Sequence, residues 1–240
     1  MPRQPRLRST DHLYHVTARG VARREIFRSD DDGRVFLSTL GGVITERGWH
    51  CHCYCLMPNH YHLLVGTPRG DLPEGMRDLN SSYATRFNTA HELTGHVFQG
   101  RYGSQVVRSD PHALEVSRYI PLNPVRARLR PRPEDWQWSS YRATAGIVRP
   151  PAWLTVDGVL GWFGKRADAQ RRYREFVAEG QHVVDPEAAA LRQLLRDGGP
   201  EDVRRVQRDY GYSLRAIAEA LGIHHSTLAE RLARDPPKGV

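Results

Sequence analysis

The sequence predicts an α+β protein, in which a ferredoxin-like antiparallel sheet with packed helices precedes a small all-α unit. Three observations predict this architecture. Strand-like and helix-like segments follow the order β-α-β-β-α-β-α, which suits a split βαβ sandwich. The chain becomes loop-like over 145–151, and from about residue 185 it is rich in helix-forming patterns. We therefore expect a first domain over 1–145, a linker with a connector helix over 146–184, and a helical domain over 185–240.

The first four elements have clear patterns. Residues 12–18 alternate between apolar and polar side chains, which predicts a strand. An acidic run opens residues 30–47, whose apolar side chains recur at helical spacing, so we predict a helix there. Residues 49–56 and 60–66 read as strands, and the Met-Pro-Asn turn between them predicts a hairpin.

The next three elements complete the predicted layer. Residues 75–92 have a helical pattern, and 104–108 suit a short strand. The tripeptide Ser109-Asp110-Pro111 is a typical helix start, because proline is well tolerated at the first helical position. In the last domain, Gly222 separates two apolar helical patterns, which predicts a helix-turn-helix over about 213–234 with its second helix starting near His225. A buried helical hairpin without a DNA role is the alternative.

The charge balance favours a phosphate-rich partner. The chain has 35 Lys and Arg residues against 27 Asp and Glu residues, for a net charge of +8. Arginine accounts for nearly all the positive charge, since Lys165 and Lys238 are the only lysines. Arginine binds phosphate through two hydrogen bonds and stacks on bases, as a nucleic-acid partner requires. A GC-rich genome would also raise the arginine share, but it does not explain the positive sum.

Other features exclude some settings. No apolar run approaches the roughly 18–20 residues that span a bilayer, so we expect no membrane partner. The basic N-terminal segment has no apolar stretch behind it, which argues against a secretory signal. Cys51, Cys53 and Cys55 are odd in number and closely spaced, which argues against a disulfide framework. We interpret them as small core residues, with a soft-metal site as the weaker alternative, and expect a cytoplasmic protein.

Two segments carry candidate chemistry. On a strand, the imidazoles of His60 and His62 point the same way, and Tyr61 points to the opposite face. Two convergent imidazoles are half of a divalent-metal site, although paired strand histidines are more often surface or core residues. On a helix, Tyr119 and Asn123 share a face, so an amide oxygen lies one turn from a candidate phenol nucleophile. A core tyrosine and a helix-capping asparagine are equally compatible with this spacing.

Five stretches together resemble one family. They are YHVTARG (14–20), MPNHYHLLV (57–65), FQGRYGS (98–104), YIPLNPVRA (119–127) and WQWSSYRA (136–143). In this order they are similar to the IS200-like single-tyrosine transposases, in particular the REP-associated tyrosine transposases. That family belongs to the HUH endonucleases, which are named for two histidines flanking a hydrophobic residue. Arg128 departs from the pattern, because the family often has glycine there.

The resemblance implies a set of site residues. His60, His62 and Asn123 would hold Mg²⁺ or Mn²⁺, and Tyr119 would be the nucleophile. The activity implied is metal-dependent cleavage and transfer of single-stranded DNA in hairpin or palindromic elements, through a 5′-phosphotyrosine link. The protein would then be bacterial and nucleoid-associated, and it would act as a monomer or a homodimer.

Basic residues near these positions are the candidate DNA contacts. We expect DNA contacts in the first domain from Arg101, Tyr102, Arg108, Arg118, Arg126 and Arg128, and in the helix-turn-helix from His225, Ser226, Thr227 and Arg231. A solvated basic face is the alternative for any single arginine. Two other functions remain open: a non-catalytic DNA-binding regulator with a vestigial HUH core, and a replication or conjugation initiator nickase. His15, on the first strand, has a possible role beside the site or is a packed strand residue.

Overall fold

The structure is a computed structural model of the 240-residue chain. It describes residues 13–107, 109–164, 166–180, 195, 199–210 and 214–235. One predicted DNA contact, Arg108, and the basic N-terminal segment lie outside the described residues. The chain divides into two compact units, Met1–Gln181 and His182–Val240, and each is described by itself.

A four-stranded antiparallel sheet organises the first unit. Its strands are β1 (Leu13–Arg19), β2 (His50–Met57), β3 (His60–Gly66) and β4 (Gly103–Val107), in the order β2-β3-β1-β4. Every neighbouring pair is antiparallel. This order confirms the predicted ferredoxin-like arrangement.

Three long helices accompany the sheet: α1 (Asp30–Arg47), α2 (Leu72–Ala90) and α3 (Asp110–Arg126). Helix α1 begins at a capping box between Ser29 and Asp32 and ends at Gly48, whose φ of +63° is readily adopted by glycine. The predicted bounds of α1 are therefore confirmed. Helix α2 begins three residues before the predicted position, because Pro73 in its first turn is compatible with helical geometry.

The segment after α3 covers the outer edge of β2. The carbonyl oxygen of Trp138 accepts from the backbone N–H of Leu56 at 2.8 Å, and the N–H of Ser140 donates to the Tyr54 carbonyl oxygen at 3.0 Å. The Trp136 indole N–H donates to the Leu56 carbonyl oxygen at 2.9 Å. These bonds satisfy edge groups of β2 and hold both tryptophans at the rim of the core.

The strand β2 carries the three cysteines into the core. Cys51, Cys53 and Cys55 are buried free thiols, and burial raises the pKa of each. A register shift between Cys51 and Cys53 interrupts the regular alternation of this strand. Their interpretation as small core residues is confirmed.

Residues 146–180 do not form the predicted linker. They contain α5 (Val156–Leu160) and α6 (Arg166–Glu179), which follow the short helix α4 (Tyr141–Thr144). Their apolar side chains belong to the core of the first unit, and Tyr173 is completely buried beside Tyr141, with ring centroids 5.8 Å apart. The predicted domain boundary near residue 145 falls at a loop within the first unit, because residues on both sides of this loop pack into the same hydrophobic core.

The second unit contains α7 (Pro200–Tyr210), α8 (Leu214–Ala220) and α9 (His225–Arg234). Its small core is built from apolar side chains of all three helices, including Val203, Ile217 and Leu228. Gly222, with a φ of +69°, forms the turn between α8 and α9. Among the described residues, no helix has the length and apolar character needed to cross a membrane.

Candidate active site

The site lies where β1 and β3 run side by side. In their register Thr17 lies opposite His62 and Arg19 lies opposite His60. The rings of His60 and His62 are 5.1 Å apart between centroids. Tyr61 lies on the other face of the strand, where its side chain is completely buried and its hydroxyl donates to Asn80 at 2.5 Å. The predicted separation of Tyr61 from the two histidines is therefore what the structure has.

Helix α3 brings Tyr119 to this pair. Its ring packs edge-on against His62, with centroids 5.5 Å apart and planes at 88°. His15 of β1 completes the group, because its ring stacks on His62 at 5.2 Å and meets Tyr119 edge-on at 6.0 Å. The candidate nucleophile and one predicted metal ligand are thus in direct contact, although 57 residues separate them in the chain.

The helix stays regular through two internal prolines because the freed carbonyl groups find other donors. Pro121 has no N–H for the Ser117 carbonyl oxygen, which instead accepts from the Tyr173 hydroxyl at 3.4 Å. Pro124 has none for the Ile120 carbonyl oxygen, which accepts from the Asn123 amide nitrogen at 3.2 Å. The helix therefore continues to residue 126, and Tyr119 and Asn123 share a face as predicted.

These bonds also fix the amide of Asn123. Its nitrogen donates to the carbonyl oxygens of both Tyr119 and Ile120, at 3.0 and 3.2 Å. Only the amide oxygen can then act as a ligand, and oxygen is the donor that Mg²⁺ prefers. Among the described residues, no group of three His, Cys, Asp or Glu side chains has the geometry of a metal site.

The electrostatics suit two neutral imidazoles. Burial, with a further contribution from Arg19, lowers the pKa of His60 to about 4. Burial and the neighbouring His15, His60 and Arg19 hold the pKa of His62 well below its usual value. A neutral imidazole has a lone pair for a metal ion, whereas a protonated one has none. Both histidines are therefore in the form that binds a cation near neutral pH.

A cleft of about 720 Å³ opens onto the two histidines. Its lining includes His60 and His62, the predicted contacts Arg101 and Tyr102, and Arg19. Arg101 is exposed, whereas Tyr102 is mostly buried between this cleft and a second, more apolar one beside α2. Positive charge therefore lies along the cleft that the two histidines line.

The three predicted DNA-contacting arginines on and just after α3 differ in their exposure and in the side chains around them. The Arg126 guanidinium lies over the Tyr119 ring, 4.9 Å from its centroid, and Arg128 is exposed just beyond α3. Arg118 instead pairs with Glu115 and lies over the Phe176 ring at 4.4 Å, and its side chain is only 13% exposed. The Arg118 guanidinium therefore has its partners within the first unit.

The predicted contacts of the second unit are accessible. His225, Ser226 and Thr227 form the exposed first turn of α9, and Arg231 is exposed one to two turns later. Just before the helix, a ring nitrogen of His224 and the Ser226 hydroxyl are hydrogen-bonded at 2.8 Å.

Sequence reasoning missed two residues at the site. Arg19 lies opposite His60, and the side-chain oxygen of Asn59 is 2.6 Å from a ring nitrogen of His60. Both lie inside the motifs that carry the family resemblance. The pairing of β1 with β3 would have revealed Arg19, but the sequence alone does not fix that register.

Comparison with known proteins identifies the class of protein. Residues 8–123 match the family model described as Transposase IS200 like. No curated protein matches the chain. A solved REP-associated tyrosine transposase bound to a REP hairpin is 19% identical, with a TM-score of 0.53 over 63% of this chain and 89% of that chain. A proposed transposase from Deinococcus radiodurans R1 is 21% identical, with a TM-score of 0.36 over 50% of this chain and 95% of that one.

The family model matches just under half of the chain, and the solved transposase bound to a REP hairpin shares the fold of the first unit. Residues 8–123 belong to the IS200-like transposase family, as the five motifs predicted. The matched segment includes both histidines, Tyr119 and Asn123, and it ends at Asn123. The fold of the first unit is also that of the REP-associated tyrosine transposase.

Proposed function

We propose that the protein is a metal-dependent single-strand DNA endonuclease and strand transferase that uses Tyr119 as its nucleophile. One observation carries the proposal: the Tyr119 ring contacts His62, which lies beside His60 on the same strand. A phenol next to two neutral imidazoles, at a cleft lined by arginine, suits attack on a phosphodiester. Family membership independently supports cleavage and rejoining of DNA.

The proposed step is a transesterification. The Tyr119 oxygen attacks the scissile phosphorus as its proton leaves, and the bond from phosphorus to the 3′ oxygen breaks. The 3′ oxygen takes up a proton, so the products are a free 3′-hydroxyl and a 5′-phosphotyrosine. Because one phosphodiester replaces another, attack by a 3′-hydroxyl on the phosphotyrosine reseals a strand without ATP.

His60, His62 and Asn123 would hold the Mg²⁺ or Mn²⁺ ion. All three ligands are neutral, so the bound cation keeps its charge for polarising the scissile phosphate. The Arg126 guanidinium over the Tyr119 ring favours the developing phenolate and restrains the ring. Arg19 and Arg101 attract the DNA backbone into the cleft.

Hairpin DNA is the proposed substrate. The REP-associated tyrosine transposase that shares this fold was solved with a REP hairpin. We further propose that α8 and α9 form a DNA-binding helix-turn-helix, in which the exposed His225, Ser226 and Thr227 face the DNA. Arg231→Ala should then weaken hairpin binding and leave the rate of adduct formation at saturating DNA unchanged, whereas a slower rate would place Arg231 in the chemistry.

A hairpin oligonucleotide from the flanks of the coding region, incubated with Mg²⁺ or Mn²⁺, tests the function. The wild-type chain should form a covalent protein–DNA adduct on a denaturing gel, and Tyr119→Phe should form none. Tyr61→Phe is the matched control, because Tyr61 adjoins both histidines but faces the core. It should still form the adduct.

Substitution of a proposed metal ligand should affect DNA cleavage and DNA binding differently. His60→Ala and Asn123→Ala should lose cleavage and keep most of the DNA affinity, because the arginines supply that affinity. Normal cleavage by His60→Ala in the presence of metal would refute the metal assignment. Hairpin binding by the wild type without any cleavage would instead support a non-catalytic regulator.

A further inference from the structure

Each histidine of the pair has one ring nitrogen engaged by a neighbour. The Nδ1 atom of His60 is 2.6 Å from the side-chain oxygen of Asn59, and the Nδ1 atom of His62 is 3.0 Å from Nε2 of His15. The engaged atom is the same in both rings. Nε2 is therefore the nitrogen that each ring can offer to a ligand.

Asn59 determines which nitrogen of His60 carries the proton. Its amide nitrogen donates to the Arg23 carbonyl oxygen at 3.1 Å, which turns the amide oxygen toward His60. That oxygen accepts hydrogen bonds and cannot donate, so Nδ1 of His60 must be the donor. A neutral imidazole has one N–H, and its lone pair is consequently on Nε2.

The backbone holds Asn59 in this place. Its carbonyl oxygen accepts from the N–H of Gly20 at 2.8 Å, and the preceding Pro58 carbonyl oxygen accepts from the N–H of Ile26 at 2.8 Å. Gly20 lies so close to the Arg24 carbonyl group that a side chain there would collide with it. The β2–β3 turn is thus attached to the loop after β1, and the acceptor for His60 is fixed before any ligand arrives.

His15 occupies the corresponding place beside His62. Its side chain is 3% exposed, and it combines the 3.0 Å hydrogen bond with a stacked ring at 5.2 Å. When His62 offers Nε2 to a cation, its Nδ1 carries the proton and donates to Nε2 of His15. The stacking restrains the plane of the ring, and the hydrogen bond sets its rotation.

We propose that Asn59 and His15 are positioning residues, which hold His60 and His62 in the tautomer that presents both Nε2 atoms to the divalent cation. The proposal rests on the proposed function, because it deepens the role of the same site. Partners of this kind orient metal-binding histidines, and their loss typically weakens metal binding by about 10–100-fold. The sequence contains both residues within its motifs, yet only the geometry shows their role.

Two substitutions of Asn59 separate positioning from a structural role. Asn59→Asp keeps an acceptor for His60 and loses the donor to Arg23, whereas Asn59→Ala loses both. Titration calorimetry with Mn²⁺ on the full chain should show affinity close to that of the wild type for Asn59→Asp. Asn59→Ala should bind Mn²⁺ about 10–100-fold more weakly. Equal affinity in Asn59→Ala and the wild type, or equal losses in both variants, would overturn the role of Asn59.

His15 requires a variant that keeps the ring. His15→Phe preserves an aromatic side chain against His62 and removes the hydrogen bond, so its Mn²⁺ affinity should fall by about 10–100-fold. His50→Gln is the matched control, since His50 is an exposed histidine at the far end of the adjoining strand. Unchanged Mn²⁺ affinity in a folded His15→Phe chain would overturn the role of His15.

A metal-free measurement separates this inference from the proposed function. In ¹⁵N spectra of histidine-labelled chain, His60 and His62 should each show a protonated Nδ1 and an unprotonated Nε2. Asn59→Ala should alter that pattern at His60, and His15→Phe should alter it at His62. The opposite tautomer in the wild type would refute the inference even if Mn²⁺ binds. A wild type that binds no Mn²⁺ but has the expected tautomers would refute the metal site and retain the positioning roles.

Discussion

Replacing Arg128 with glycine should stabilise the fold. Helix α3 ends in a Schellman motif, in which the N–H of Leu129 donates to the Pro124 carbonyl oxygen and the N–H of Arg128 donates to the Val125 carbonyl oxygen, both at 2.9 Å. This motif needs a left-handed residue at position 128, and Arg128 has a φ of +57°. Glycine, which the family often has there, adopts this conformation without strain.

The expected gain follows from two opposing free energies. A left-handed conformation costs a non-glycine residue about 1–2 kcal/mol. Glycine adds about 0.4–1 kcal/mol of entropy to the unfolded chain, which offsets part of that relief. Arg128→Gly should therefore stabilise the first unit by roughly 0.5–1 kcal/mol, measured as a rise in the midpoint of denaturant unfolding.

Two further variants control for glycine and for charge. Arg130→Gly introduces glycine at an exposed arginine whose φ is not positive, and it should give no gain. Arg128→Gln removes the charge and keeps the strain. If Arg128 contacts phosphate, Arg128→Gly and Arg128→Gln should weaken hairpin binding equally and reduce its salt dependence. A loss of stability in Arg128→Gly as large as that in Arg130→Gly would refute the strain argument.

Four more predictions concern His60 and helix α1. Because burial lowers the pKa of His60 to about 4, Mn²⁺ binding measured by calorimetry should persist at about pH 5.5, and a loss centred near 6.5 would contradict this. Between pH 6.5 and pH 4, His60 is protonated in the unfolded chain but stays neutral in the folded chain. The free energy of unfolding should therefore fall as the pH drops through this range, and His60→Gln should reduce that fall. Gly33→Ala should destabilise by about 1–3 kcal/mol, because its added carbon would lie 2.5 Å from the Trp138 ring. Gly42→Ala on the same helix meets open space and should stabilise by about 0.5–1 kcal/mol in the same denaturation assay.

Local patterns explain why much of the fold was predictable. The capping residues of α1, the Pro58–Asn59 turn and the proline at the start of α3 all act within a few residues, so the sequence shows them directly. The strand pair of His60 and His62 follows from alternation alone. The linker prediction failed because it used loop composition, whereas the burial of Tyr173 depends on long-range packing.

The partners around the site could not be predicted for the same reason. The bond between Asn59 and Arg23 depends on how a turn meets a distant loop, and the bond between His15 and His62 depends on strand register. The engagement of Arg118 with Glu115 and Phe176 likewise needs the packing of α6 on α3. A count of arginines near the motif does not distinguish a packed guanidinium from an exposed one.

Mass spectrometry of the covalent adduct tests the central claim most directly. Trypsin should release residues 119–126 as a peptide that contains Tyr119 as its only tyrosine. Tyr102 would fall in a separate peptide, residues 102–108. We expect a nucleotide phosphate on the 119–126 peptide alone. A nucleotide on the 102–108 peptide, or on any other tyrosine, would contradict it.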